Sequence, residues 1–144
     1  HRLARRLQFP VGLGLRLGRG AGRLNLVAHV EIPVRELERA MAFYSALFGI
    51  GFGQIVELHA SRMAWFPFAP GADGASGALA EGEVYVPTTD GAIVYFAVED
   101  IDAALARAGR LGSTILFPKT SISATGFVAE ITDSEGNRLA LQSR

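Results

Sequence analysis

The chain writes one strand-helix unit twice, and that repeat constrains its fold more than any other feature. The first copy is His29-Val-Glu-Ile-Pro-Val34 followed by Arg35-Glu-Leu-Glu-Arg-Ala-Met-Ala-Phe-Tyr-Ser-Ala-Leu-Phe-Gly49. The second is Ile93-Val-Tyr-Phe-Ala-Val98 followed by Glu99-Asp-Ile-Asp-Ala-Ala-Leu-Ala-Arg-Ala-Gly109. With Val34 laid on Val98, each strand ends in the same register, an acidic entry follows, and an amphipathic helix runs to a glycine.

The first strand alternates over Leu26 to Val34. Leu26, Ala28, Val30 and Ile32 form an apolar face that should meet the helix, while Val27, His29 and Glu31 form a face suited to lining a cavity. In the helix, Leu37, Met41, Tyr44 and Phe48 are expected to make the buried stripe, with Gly49 as the stop. Strands are expected over Gln54 to His59, Arg62 to Phe68 and Ala78 to Glu81, and Tyr85 to Gly91 reads as a connector. The second half repeats the order. A strand covers Ala92 to Val98, Asp100 is an N-cap, and Ile101, Ala104, Leu105 and Ala108 form the helix stripe. Strands over Ser113 to Phe117, Gly126 to Thr132 and Arg138 to Gln142 follow, the last two joined by the turn Asp133 to Asn137. Lys119 and Thr120 read as loop residues. The fold class is α+β: two βαβββ modules, over approximately residues 25–84 and 91–143, forming a cup-shaped, mostly antiparallel sheet with helices outside.

Composition removes several function classes. At 144 residues the domain can bury about 70% of the surface its unfolded chain exposes. No apolar run reaches the ~18 residues of a membrane span, and the absence of cysteine excludes disulfides and thiolate chemistry and points to the cytoplasm. The six arginines of residues 1–24 face no acid there, so residues 25–144 hold eight basic and fourteen acidic side chains, about −6. Such a body repels nucleic acid and suits a cationic ligand. Residues 1–24, rich in Arg, Gly and Leu, read as a disordered basic extension, with a targeting segment or a basic contact arm as alternatives.

Ala28-His-Val-Glu-Ile-Pro-Val34, Ala40-Met-Ala-Phe-Tyr44, Leu47-Phe-Gly49, Val98-Glu-Asp-Ile-Asp102 and Asp133-Ser-Glu-Gly-Asn-Arg-Leu139 resemble the vicinal oxygen chelate superfamily. That superfamily comprises glyoxalase I, extradiol dioxygenases, fosfomycin resistance enzymes and bleomycin-binding proteins. Met63-Ala-Trp-Phe-Pro67, Val94-Tyr-Phe96 and Pro118-Lys-Thr120 are similar to a bacterial glyoxalase-like subgroup whose members mostly lack an assigned reaction. The resemblance covers residues 25 to 143.

Metal-using members take four ligands from the first and last strands of each half. His29 falls on the first such position. Ile93 stands on its mate, Ala140 on the last-strand carboxylate position, and the fourth lies in or near Ala78-Leu-Ala80, so His29 is the only residue at a usual ligand position. No metal or other cofactor is therefore expected. A divalent-metal lyase of the lactoylglutathione-lyase kind, or a dioxygenase, remains the alternative, with His59, Glu57 and Glu81 as spare donors.

Glu31 and His29 are the candidate catalytic pair for proton transfer, against a structural reading of both. Val27, Trp65, Ile93, Tyr95 and Gln142 are the candidate ligand-binding residues, each also explicable as core or sheet filling. Asp133 and Asn137 are explained by turn geometry. Three functions stay open: a small-molecule binding protein or metal-independent enzyme, the metal-dependent enzyme, and a non-catalytic interaction module. The resemblance implies a homodimer and a small-molecule ligand.

Overall fold

The computed structural model describes residues 25–144. The first half runs β1 (His29–Val34), α1 (Leu37–Phe48), β2 (Val56–Leu58), β3 (Ser61–Trp65) and β4 (Ser76–Glu81). The second runs β5 (Tyr95–Ala97), α2 (Ile101–Arg110), β6 (Ile115–Ser121), β7 (Phe127–Thr132) and β8 (Arg138–Ser143). Two four-stranded sheets result, ordered β1-β4-β3-β2 and β5-β8-β7-β6. In each, the first strand pairs with the last in parallel and the other pairings are antiparallel. The fold is the α+β pair of βαβββ modules that the repeat implies.

Register confirms the repeat side chain by side chain. Glu31 lies opposite Ala78 and Ala78 opposite Trp65, while Tyr95 lies opposite Ala140 and Ala140 opposite Glu130. Directly opposed residues share a face, so Glu31 and Tyr95, Ala78 and Ala140, and Trp65 and Glu130 are structural mates.

The opposite faces carry the core. Ile32, Val34, Ala64 and Leu79 of the first sheet and Ala129, Ile131, Leu139 and Leu141 of the second join α1 and α2 in one cluster. In α2 the buried residues are Ile101, Ala104 and Ala108, with Leu105 packed alongside. In α1 they are Leu37, Ala40, Phe43, Tyr44 and Leu47. The expected stripe through Met41 and Phe48 is thus displaced: both are only partly buried beside it. Small Ala40 lets the helix approach the sheet closely, and the stripe follows that contact.

The helices begin differently. Asp100 Oδ1 accepts the amide of Ala103 at 3.1 Å, an N-cap within its own module. Glu36, at the N-cap of α1, gives no side-chain cap. Carboxylates from elsewhere take the orphan amides instead. Glu81 Oε2 accepts Leu37 N at 2.8 Å, and Glu135 Oε1 accepts Arg35 N and Glu36 N at 2.9 and 2.8 Å. At the other end Gly49 adopts φ +65, and its amide returns to Ser45 O, a left-handed stop that favours glycine.

The turn from Asp133 to Asn137 is therefore more than a turn. Asp133 Oδ1 accepts the amides of Glu135 and Asn137, and its Oδ2 accepts Tyr44 Oη–H at 2.7 Å and Asn137 Nδ2–H at 2.8 Å. Asn137 also donates to Pro33 O at 2.7 Å. Burial, reinforced by the Asp133 charge, raises the Tyr44 hydroxyl well above its ordinary range. Lys119 and Thr120 correct a second expectation. They lie in β6, not in a loop, where two register shifts beside Pro118 accommodate the missing donor.

Candidate functional site

Away from the helices, the first sheet gathers His29, Ser76, Glu31 and Trp65 on one face. β1 supplies His29 and Glu31 two residues apart, β4 brings Ser76 opposite His29, and β3 brings Trp65. His29 Nδ1 lies 2.8 Å from Ser76 Oγ, and the imidazole packs on the Trp65 indole with ring centres 4.6 Å apart. Its Nε2 is buried without a hydrogen-bond partner and faces Glu31 Oε2 at 3.9 Å. Glu31 Oε1 accepts Tyr85 Oη–H at 2.8 Å, which raises the Tyr85 hydroxyl above its ordinary value. His29 and Glu31 thus come together without a direct hydrogen bond. Trp65 stays 44% exposed.

Between the two modules lies a cavity of about 1050 Å³. Val30, Ile32, Phe66 and Phe96 supply much of an apolar wall, and Phe48 stacks on Phe96 at 4.7 Å. Gly77 allows the wall to form, since a Cβ there would meet the Phe66 ring at 3.1 Å. Glu99, Asp100 and Arg107 contribute charge; Arg107 Nε donates to Leu47 O at 2.8 Å and ties α2 to the end of α1.

Of the candidate ligand-binding residues, Val27, Ile93 and Tyr95 line this cavity. His29, Glu31 and Trp65 form the separate cluster just described. Gln142 lies on β8 opposite Ala97 and Val128, and its carbonyl accepts Val98 N at 2.8 Å. Ser76 belongs to both places: it holds His29 and it lines the cavity. Sequence reasoning passed over Ser76 and Tyr85. Ser76 lies in Gly74-Ala-Ser-Gly77, which reads as loop by composition, and Tyr85 in the connector; their partners are 47 and 54 residues away.

The described residues do not gather the donors of a metal site. Ala78 and Ala140 occupy matching places on β4 and β8, which locates the fourth ligand position at an alanine. Ile93 offers no donor. Glu81 caps α1 and pairs with Arg62, Glu57 lies opposite Arg62 on the helix-facing side, and His59 sits in the exposed β2-β3 turn. Among the described residues no three His, Asp or Glu side chains gather in metal-binding proximity.

Two βαβββ modules thus share one core, with a cavity along their seam. Residues 26–141 match the Glyoxalase/Bleomycin resistance protein/Dioxygenase superfamily, and the chain belongs to that family. Solved structures agree on the fold. A glyoxylase/bleomycin resistance protein/dioxygenase domain from Frankia sp. EAN1pec is 19% identical with a TM-score of 0.64, the alignment covering 81% of this chain and 90% of that one. The fosfomycin resistance protein FosX from Listeria monocytogenes is 18% identical with a TM-score of 0.60, covering 82% and 90%. A glyoxalase I variant from Zea mays is 18% identical with a TM-score of 0.66, covering 82% of this chain and 45% of that one. No curated protein matches the sequence.

Proposed function

We propose that this protein binds a small molecule in the cavity between its modules without the help of a metal ion. The observation that carries the reading is the cavity itself. At about 1050 Å³ with a largely apolar wall, it stands at the upper end of the size range of ligand sites, ~1000 Å³. Glu99 and Asp100 outnumber Arg107 among its charged lining residues, and residues 25–144 carry about −6. The ligand is accordingly an apolar or aromatic body bearing a cationic group. His29 is the lone donor at a usual ligand position, which supports metal independence. The open edges of β1 and β5, together with exposed Val56 and Leu58, favour a homodimer. No helix among the described residues is long and apolar enough to cross a membrane; a cytoplasmic location is our proposal, and a sequence free of cysteine is compatible with it.

Equilibrium titration with fluorescent probes tests this. Ethidium, a cationic aromatic, is expected to bind saturably and more tightly than neutral Nile red. Ala103→Trp, which fills the cavity from α2, should weaken it about tenfold, ~1.4 kcal/mol. Absence of saturable binding, or indifference to Ala103→Trp, overturns the reading.

A further inference from the structure

Ser76, His29 and Glu31 stand in the order hydroxyl, imidazole, carboxylate, although the chain order is His29, Glu31, Ser76. Ser76 Oγ and His29 Nδ1 are 2.8 Å apart, and His29 Nε2 faces Glu31 Oε2 at 3.9 Å. The far end is held by Tyr85, whose hydroxyl donates to Glu31 Oε1.

This arrangement selects one tautomer of the neutral ring. Nε2 is buried, and the anionic group facing it is Glu31. A lone pair aimed at a carboxylate repels it, whereas an N–H is attracted, so the proton belongs on Nε2. Nδ1 is then the acceptor and Ser76 Oγ–H the donor. The hydroxyl's other acceptor, Ala28 O, is farther away at 3.2 Å. A serine hydroxyl donating to an imidazole oriented by a carboxylate is the arrangement of an activated nucleophile, recognised by geometry rather than by chain order. The imidazole-carboxylate distance is long for a hydrogen bond, as such contacts commonly are before substrate closes the site.

Ser76 is the first residue of β4, beside the cavity. It lines the apolar cavity, and so do its neighbours Gly74 and Ala75, whose backbone N–H groups donate to no group among the described residues.

We propose that Ser76 is an acyl-accepting nucleophile, with His29 as its general base and Glu31 as the residue that positions His29, acting on esters whose apolar acyl group fills the cavity. This rests on the reading of that cavity as the ligand site. In the first step Ser76 Oγ bonds to the ester carbonyl carbon while its proton passes to His29 Nδ1. Collapse of the tetrahedral adduct breaks the bond to the leaving alcohol, which departs with that proton. Water, deprotonated by the same nitrogen, then cleaves the acyl-serine to a carboxylic acid and restores the hydroxyl.

The test uses the full chain, an alkyl fluorophosphonate as trap and p-nitrophenyl butyrate as ester. One covalent adduct should form, mapping to Ser76 by peptide mass spectrometry, and the ester should release p-nitrophenolate. Ser76→Ala should abolish both. His29→Gln should slow trapping about 100-fold, and Glu31→Gln should slow it with no change in ethidium affinity greater than about twofold. Ethidium binding without an adduct on Ser76 overturns the nucleophile and leaves the binding reading standing. Trapping that persists in Ser76→Ala overturns it too, and absence of both signals removes the binding reading as well.

Discussion

Arg39 grips Glu135 with two hydrogen bonds, Nε to Oε2 at 2.8 Å and Nη2 to Oε1 at 2.9 Å, across 96 residues of chain. The pair joins α1 of the first module to the last turn of the second. It explains why Glu135 can be buried with a full charge: its two oxygens also take two backbone amides and Ser134 Oγ–H.

Glu135→Gln should therefore destabilise the protein by about 2–3 kcal/mol in urea unfolding. Arg39 is 48% exposed on its side chain and stays hydrated after the change, which keeps the loss below that of a stranded buried cation. A loss under ~0.5 kcal/mol would show that the turn does not hold α1.

Acid sensitivity follows from the same carboxylate. Burial pushes the Glu135 carboxyl up, but Arg39, the Glu36 amide, Ser134 and the Arg35 amide together pull it from 4.5 down to about 2. Folded below unfolded means the contribution, ~3 kcal/mol, is fully present above pH 4.5 and lost as pH falls from about 4.5 towards 2. Glu135→Gln should flatten the stability profile across that interval and leave its shape near neutrality unchanged.

The turn between β2 and β3 places His59 and Ala60 at φ +49 and +62, both in the left-handed region and neither a glycine. Leu58 pairs with Ser61, so these two residues are the whole loop. Ala60→Gly should relieve the strain and stabilise by about 1 kcal/mol, read as a higher Tm. An unchanged or lower Tm would mean the turn relaxes in solution.

A single imidazole at the usual ligand positions leads to a plain expectation for metal removal. Purified protein should contain less than stoichiometric transition metal, and chelation should change neither its Tm nor its ethidium affinity. A molar equivalent of metal, with a Tm that falls on chelation, would require donors outside the cluster around His29.

The architecture was legible because its two periods are written locally. Period-two runs at His29–Val34 and Phe127–Thr132 and the helical stripe that stops at Gly49 need no long-range information, whereas the second helix runs past its expected stop, Gly109, to Arg110. The α1 stripe was misplaced because Met41 outranks Ala40 in hydrophobicity, whereas close packing against the sheet favours the smaller residue. Lys119 and Thr120 were misplaced because Pro118 argues for a loop, and an irregular edge strand tolerates it. The site was legible in part. His29 and Glu31 announce themselves on a strand face, but Ser76 and Tyr85 reach them from distant segments whose small or polar residues carry no period.

The two modules share one pattern but not the same independence. α2 starts on its own Asp100, whereas the entry to α1 is shared between Glu81 of its own module, which takes Leu37 N, and Glu135, which takes Arg35 N and Glu36 N and which the ribosome delivers some hundred positions later. During synthesis the first helix must wait for part of its cap, while the second can close as it emerges. A chain divided between β4 and β5 would give unequal pieces, the second better able to hold its helix alone. Exchanging the order of the modules by circular permutation would let the turn be made before the helix that needs it.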